Sequence, residues 1–122
     1  MINMETKPEI LYEDNHILVT LKPPGMLSQP GKNKAGDMLT FLKEYIKEKY
    51  DKPGNVYLGL VHRLDMNVGG VMVFARTSKA AARLSESIRE RDFEKDYLAV
   101  VEGKLEIGVK TILEDNIIKD QT

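Results

Sequence analysis

The sequence predicts an α+β or mixed α/β domain, a sheet accompanied by two helices, and three observations carry that reading. Short apolar runs rich in β-branched residues, Ile17-Leu18-Val19-Thr20-Leu21 and Val71-Met72-Val73-Phe74-Ala75 foremost, have the length and composition of strands. Two longer segments instead repeat apolar residues every three or four positions, the spacing of helices that bury one face. The two kinds of segment interleave along 122 residues, enough chain for one domain.

Each element has its own local reason. Ile10-Leu11-Tyr12 and Ile17–Leu21 are β-rich and flank the turn-like Glu13-Asp14-Asn15-His16. Pro23-Pro24-Gly25 then ends the second strand, because proline cannot continue a central ladder. Asp37 is placed to cap a helix reaching about Tyr50, with Met38, Phe41, Leu42, Tyr45, Ile46 and Lys49 on one face. Lys52-Pro53-Gly54-Asn55 makes a turn, Val56–Val61 reads as a strand, and Val71–Ala75 as a buried one. Thr77 or Ser78 caps a second helix in which Ala80, Leu84 and Ile88 recur every fourth residue. Leu98-Ala99-Val100-Val101 completes the set as a further strand, left through Glu102-Gly103-Lys104.

Composition narrows the function classes. With 42% hydrophobic and 30% charged residues the chain is expected to fold around a modest core. No apolar run approaches the roughly 20 residues of a membrane span, and the polar start Met1–Lys7 lacks a signal-peptide pattern. No cysteine is present, which excludes disulfides and thiolate metal sites and fits a cytoplasmic protein. Two histidines, His16 and His62, are too few for a histidine-rich metal site. The net charge of −1 shows none of the basic surplus that advertises a nucleic-acid binder, so any such contact has to come from a local patch.

The unusual stretch is Gly59-Leu60-Val61-His62-Arg63-Leu64-Asp65, which resumes after Gly69-Gly70 as the apolar Val71–Ala75 run. If Arg63 and Asp65 continue the preceding strand, residues two apart share a face, and the guanidinium favours the ionised carboxylate. Gly69 and Gly70 supply either unusual backbone angles or room for another segment to approach. Two readings follow from the residues: a structural ion pair at a strand end, or an ionised aspartate held in a cleft as nucleophile or base. Spacing does not choose between them.

Four ordered motifs favour the second. Leu60–Asp65 with Gly70–Lys79 resembles the signature of the RluA-type RNA pseudouridine synthases. Leu21-Lys22-Pro23-Pro24-Gly25, continuing to Pro30, resembles that family's "NKP-x-G" segment, and Gly36-Asp37-Met38-Leu39 its "GD-x-L" helix start. Lys95–Gly103 resembles its "K-x-Y-x-A-x-V-x-G" strand. Val68-Gly69 departs from the Thr-Ser common there, and the later "TGR-x-HQ-x-R" segment has no counterpart, no histidine following His62.

The resemblance implies an α+β fold with a mixed, largely antiparallel sheet and flanking helices, of which residues 1–122 form the N-terminal portion of one catalytic domain. No separate N-terminal RNA-binding module is expected, since the first strand begins near Glu9. It further implies isomerisation of specific uridines in ribosomal or transfer RNA, without cofactor or metal, and Asp65 as the catalytic aspartate. Arg63 is implied to keep that aspartate ionised and help displace the target nucleotide, Tyr97 to stack on the uracil, and His62 to orient or pack. Arg76, Lys79, Arg83 and Lys95, with Arg89 and Arg91, are the candidates for RNA contact, although Glu86, Glu90, Asp92, Glu94 and Asp96 lie among them. An RNA-binding fragment without turnover and a small α/β structural domain are the alternatives. A partial sheet is also expected to leave an edge unpaired and to favour self-association.

Overall fold

A computed structural model of the protein describes residues 7–32 and 35–120. Its elements are β1 (Glu9–Glu13), β2 (Ile17–Lys22), α1 (Met38–Lys49), β3 (Gly59–Leu60), β4 (Gly70–Ala75) and α2 (Ser78–Arg89). The four strands form one sheet in the order β1-β2-β4-β3, every pair antiparallel, so the fold is α+β.

The hairpin between β1 and β2 is set by Asp14, whose Oδ1 accepts the amides of His16 (2.7 Å) and Ile17 (2.8 Å). Asparagine- and aspartate-type side chains do this in turns because a short polar arm reaches the amides two and three residues on. Leu18, Thr20 and Lys22 then alternate onto one buried face of β2, opposite Phe74, Met72 and Gly70 of β4. Asp37 caps α1 by accepting the Thr40 amide at 2.9 Å, and Met38, Leu42 and Ile46 bury one stripe of that helix. These three pack with Leu18, Met72, Phe74 and Leu58 as the core. Each of the largest of these side chains contributes about 1.5–3 kcal/mol by leaving water. Thr77 caps α2 through the Ala80 amide (3.0 Å), and α2 packs on β3 and β4 at the small residues Gly59, Ala75 and Ala81.

One end of the sheet is closed by a polar cluster. Glu13 accepts from Tyr50 Oη (2.6 Å), Tyr45 Oη (2.8 Å) and Lys49 Nζ (2.8 Å), while Arg76 stands 3.6 Å away. Arg76 also donates to the Asp14 carbonyl at 2.6 Å and lies over the Tyr50 ring. The cluster therefore ties the β1–β2 turn to the last turn of α1 and to the exit of β4.

Two predicted strands differ. The Val56–Val61 run is a strand only at Gly59–Leu60. On one side β4 stops at Ala75 because Thr77 begins α2, leaving Val56–Leu58 nothing to pair with. On the other, the His62 imidazole accepts the Val73 amide (3.0 Å) that a longer β3 would have engaged. Leu98–Val101 is not a strand: among the described residues it has no ladder partner, and Leu98 and Val100 are fully exposed. Apolar, β-branched composition suits a residue to a sheet, but the ladder itself needs a neighbour.

Candidate active site

Five hydrogen bonds from the 22–28 segment and one internal turn fix the loop that carries Asp65. Lys22, at the end of β2 and 1% exposed, turns its ammonium onto three carbonyls: Pro23 (3.1 Å), Met66 (3.0 Å) and Val68 (2.7 Å). Gly25, at φ 92°, gives its amide to the same Met66 carbonyl at 2.7 Å, a backbone angle that favours glycine. Ser28 accepts the Leu64 amide (3.0 Å) and donates to the Leu64 carbonyl (2.6 Å). Within the loop, the Val68 amide donates to the Asp65 carbonyl at 3.0 Å. Gly69 follows because Pro24 lies against it: an added Cβ would sit 3.0 Å from the proline ring. Close approach, and not a positive φ, is what that glycine supplies.

Asp65 and Arg63 open into a cleft of about 560 Å³, lined also by Gln29, His62, Ile88 and Lys95. Both are exposed. The ion pair that their spacing allowed is not formed: among the described residues neither takes part in a salt bridge. Pinning of Leu64 and the turn at Asp65 replace the extended strand geometry on which that pairing depended. The buried cation that feels the Asp65 charge is Lys22. Burial pushes the Lys22 ammonium below the usual lysine range, and Asp65 acts in the opposite direction.

His62 is half-buried and held below the ordinary histidine range, chiefly by burial and secondarily by Lys95. That agrees with its geometry, since Nε2 accepts the Val73 amide and so carries no proton. Its ring meets Phe93 at 5.5 Å between centroids, which brings the 93–97 segment alongside. Lys95 consequently reaches the Asp65 cleft, whereas Tyr97 lines an adjoining groove of about 460 Å³ with Val68–Val71. His62, Leu64 and Lys95 border both hollows, but Asp65 and Tyr97 do not share one.

The other cations scatter. Lys79 and Arg83 are exposed on α2, Arg89 pairs weakly with Glu90 at 4.0 Å, and Arg91 is exposed beyond the helix. Arg76 lies in the Glu13 cluster at the far end of β2, engaged with Glu13, Asp14 and Tyr50. In the sequence, Lys22 and Ser28 stand out only as members of the Leu21–Pro30 motif. A signal for Lys22 was present: period-2 alternation puts it on the buried face with Leu18 and Thr20. Nothing local marked Ser28.

An antiparallel sheet of an α+β domain thus presents one carboxylate from a pinned loop, beside an arginine and a lysine in an open cleft. The chain belongs to the RNA pseudouridylate synthase family, whose model matches residues 16–122. It is 42% identical over 101 residues to the ribosomal large subunit pseudouridine synthase D of Yersinia pestis, covering 82% of this chain and 30% of that protein. It is 39% identical over 103 residues to the ribosomal large subunit pseudouridine synthase C of Salmonella typhi, covering 84% and 30%. Among solved structures, human RNA Pseudouridylate Synthase Domain Containing 4 superposes with a TM-score of 0.58 at 30% identity, over 69% of this chain and 30% of that one. The chain thus spans about a third of the length of the relatives it matches.

Proposed function

We propose that this chain is the aspartate-bearing part of the catalytic domain of an RNA pseudouridine synthase, an isomerase acting on uridine in RNA. The names of its bacterial relatives favour ribosomal large-subunit RNA over transfer RNA as the substrate, and hence a cytoplasmic setting. Among the described residues no helix is long and apolar enough to cross a membrane. The observation that carries the reading is the Asp65 loop, held through its backbone by Lys22, Gly25 and Ser28 so that the carboxylate itself stands open to a cleft.

The reaction breaks the bond between uracil N1 and ribose C1′, turns the base, and joins C5 to C1′. A proton leaves C5 and N1 gains one, so the atoms of uridine are conserved. Asp65, ionised, either attacks C1′ or removes the 2′ proton; in both cases a carboxylate beside a carbon gaining cationic character stabilises it, as in glycosidases. Arg63, in the same cleft, contributes positive charge toward the phosphate of a displaced nucleotide, with Lys95 beside it. A uridine within folded RNA must first leave its stack, at a cost of a few kcal/mol. Tyr97, lining the adjoining groove, offers a ring for the base to stack on.

The test is Asp65→Asn in the full natural product of this gene, assayed on unmodified large-subunit ribosomal RNA. Pseudouridine formation is expected to fall on the order of 10³-fold or more, because the substitution keeps size but removes the charge. RNA affinity should stay within about twofold, since phosphate contacts dominate binding. Near-normal turnover by this variant would sink the assignment. RNA binding without product in the unmutated protein would favour a binding fragment instead.

A further inference from the structure

We infer that Ser28 is a positioning residue for Asp65, its single hydroxyl fixing both peptide planes that flank Leu64. This rests on the reading of Asp65 as the reactive carboxylate. Ser28 is 5% exposed, so its hydroxyl has no ready alternative in water. It accepts the Leu64 amide, which belongs to the Arg63–Leu64 peptide, at 3.0 Å. It donates to the Leu64 carbonyl, which belongs to the Leu64–Asp65 peptide, at 2.6 Å. The hydroxyl has one proton, and the short contact to oxygen claims it; Met72 Sδ, at 3.7 Å, is the weaker partner. One side chain thereby does what a neighbouring strand would do, at the residue between Arg63 and Asp65.

The anchor is itself anchored. The Ser28 carbonyl accepts the Leu39 amide at 3.3 Å, and Leu27 exchanges hydrogen bonds with Gly36 (3.1 Å) and Met38 (2.8 Å). Ser28 is therefore tied to the first turn of α1, whose buried face supplies three of the seven core residues. The Leu64 side chain completes the seating over Gly70, where an added Cβ would lie 3.3 Å from Leu64 Cδ1. Alanine at position 28 would take from the partly buried Leu64 amide and carbonyl the hydroxyl that holds them, freeing the Leu64 peptides to rotate. A misplacement of about 1 Å in a reacting group can cost on the order of 100-fold in rate.

The experiment compares Ser28→Ala, Ser28→Thr and Asp65→Asn in the full natural gene product, measuring kcat and KM for RNA together with amide hydrogen exchange. Ser28→Ala is expected to lower kcat about 10- to 100-fold with KM within about threefold. Exchange should quicken at the Leu64 amide while the amides of β2 and β4 keep their protection. Ser28→Thr, which retains the hydroxyl, should restore most of kcat. Normal kcat for Ser28→Ala overturns the inference, and so does faster exchange spread through β2 and β4 with no rescue by threonine, the mark of a packing role. Should the alanine variant fail to fold, Ser28→Cys, close in volume but a weak donor, applies the same two criteria. Full turnover by Asp65→Asn would instead remove the reading on which the inference rests, whatever Ser28 does.

Discussion

Glu13 and Asp65 belong to opposite ends of the β2–β4 pair, and the fold treats the two carboxylates in opposite ways. Glu13 accepts from Lys49, Tyr45 and Tyr50, with Arg76 close by. Burial alone would raise its pKa, but those hydrogen bonds outweigh it, and the carboxyl is lowered from 4.5 to about 2. Asp65 is held differently. Its loop is held through main-chain carbonyls and amides, and its carboxylate makes no ion pair among the described residues. Glu13 is gripped by its charge, whereas Asp65 is held through the backbone of its loop and its carboxylate stays open to the cleft. Lys22 shows the same economy, since its ammonium is spent on carbonyls and reaches Asp65 only through the field.

The contrast can be broken most strongly at Lys22. Lys22→Met keeps most of the length of the side chain but takes the ammonium from the buried Pro23 carbonyl and from the Val68 carbonyl, and leaves the Met66 carbonyl to the Gly25 amide. Each buried group left unsatisfied costs about 1–3 kcal/mol. Urea unfolding should show a loss of about 3 kcal/mol, and turnover should fall with it because the loop is released. A stable, active Lys22→Met protein would mean that the Asp65 loop is held by something else.

Glu13→Gln sharpens the comparison from the other side. It removes charge-assisted hydrogen bonds, worth about 1.5–3 kcal/mol together, yet should leave turnover unchanged, because nothing in the cleft depends on that end. The same residue sets an acid limb of stability. With a folded value of about 2 against an ordinary 4.5, its contribution is complete above about pH 4.5 and drains away as the pH falls toward 2. The unmutated protein should therefore lose stability across that window more steeply than Glu13→Gln, and equal slopes in paired acid titrations would contradict the grip described.

The smallest effect is expected at Gly69. Gly69→Ala would press a methyl to 3.0 Å from the Pro24 ring and 3.3 Å from the Lys22 carbonyl. A cost of about 1 kcal/mol follows, read as a lower Tm, with a modest fall in turnover because Pro24 and the loop must part slightly. An unchanged Tm would show that the two segments have slack between them.

Much of the fold was legible because its causes are local. Asp37 and Thr77 cap the two helices as their side-chain chemistry requires, and Met38, Leu42 and Ile46 fall on the buried stripe that their spacing marks. The β1–β2 hairpin and the buried strand at Val71–Ala75 were likewise readable from turn residues and β-branched runs. The candidate site was legible as a location: an arginine and an aspartate interrupting apolar sequence marked the loop that lines the cleft. Its wiring was not. The Lys22 contacts with Met66 and Val68 span 44 and 46 residues, and the Ser28 contacts with Leu64 span 36. Nor did spacing disclose that Arg76, grouped with the other cations of its region, is engaged at the far end of the sheet by Glu13 and Asp14.

By itself, then, the sequence determined the two helices and where they begin, the hairpin strands, the buried strand at Val71–Ala75 and which loop carries the acidic group. Those properties depend on side chains within one or two turns of one another. The tertiary structure decided that β3 is two residues long, that Leu98–Val101 stays without a ladder, that Arg63 and Asp65 do not pair, and that Lys22 and Ser28 hold the loop. A ladder, an ion pair and a buried hydrogen bond each require a partner in space. Chain topology chooses that partner, and residue type alone cannot.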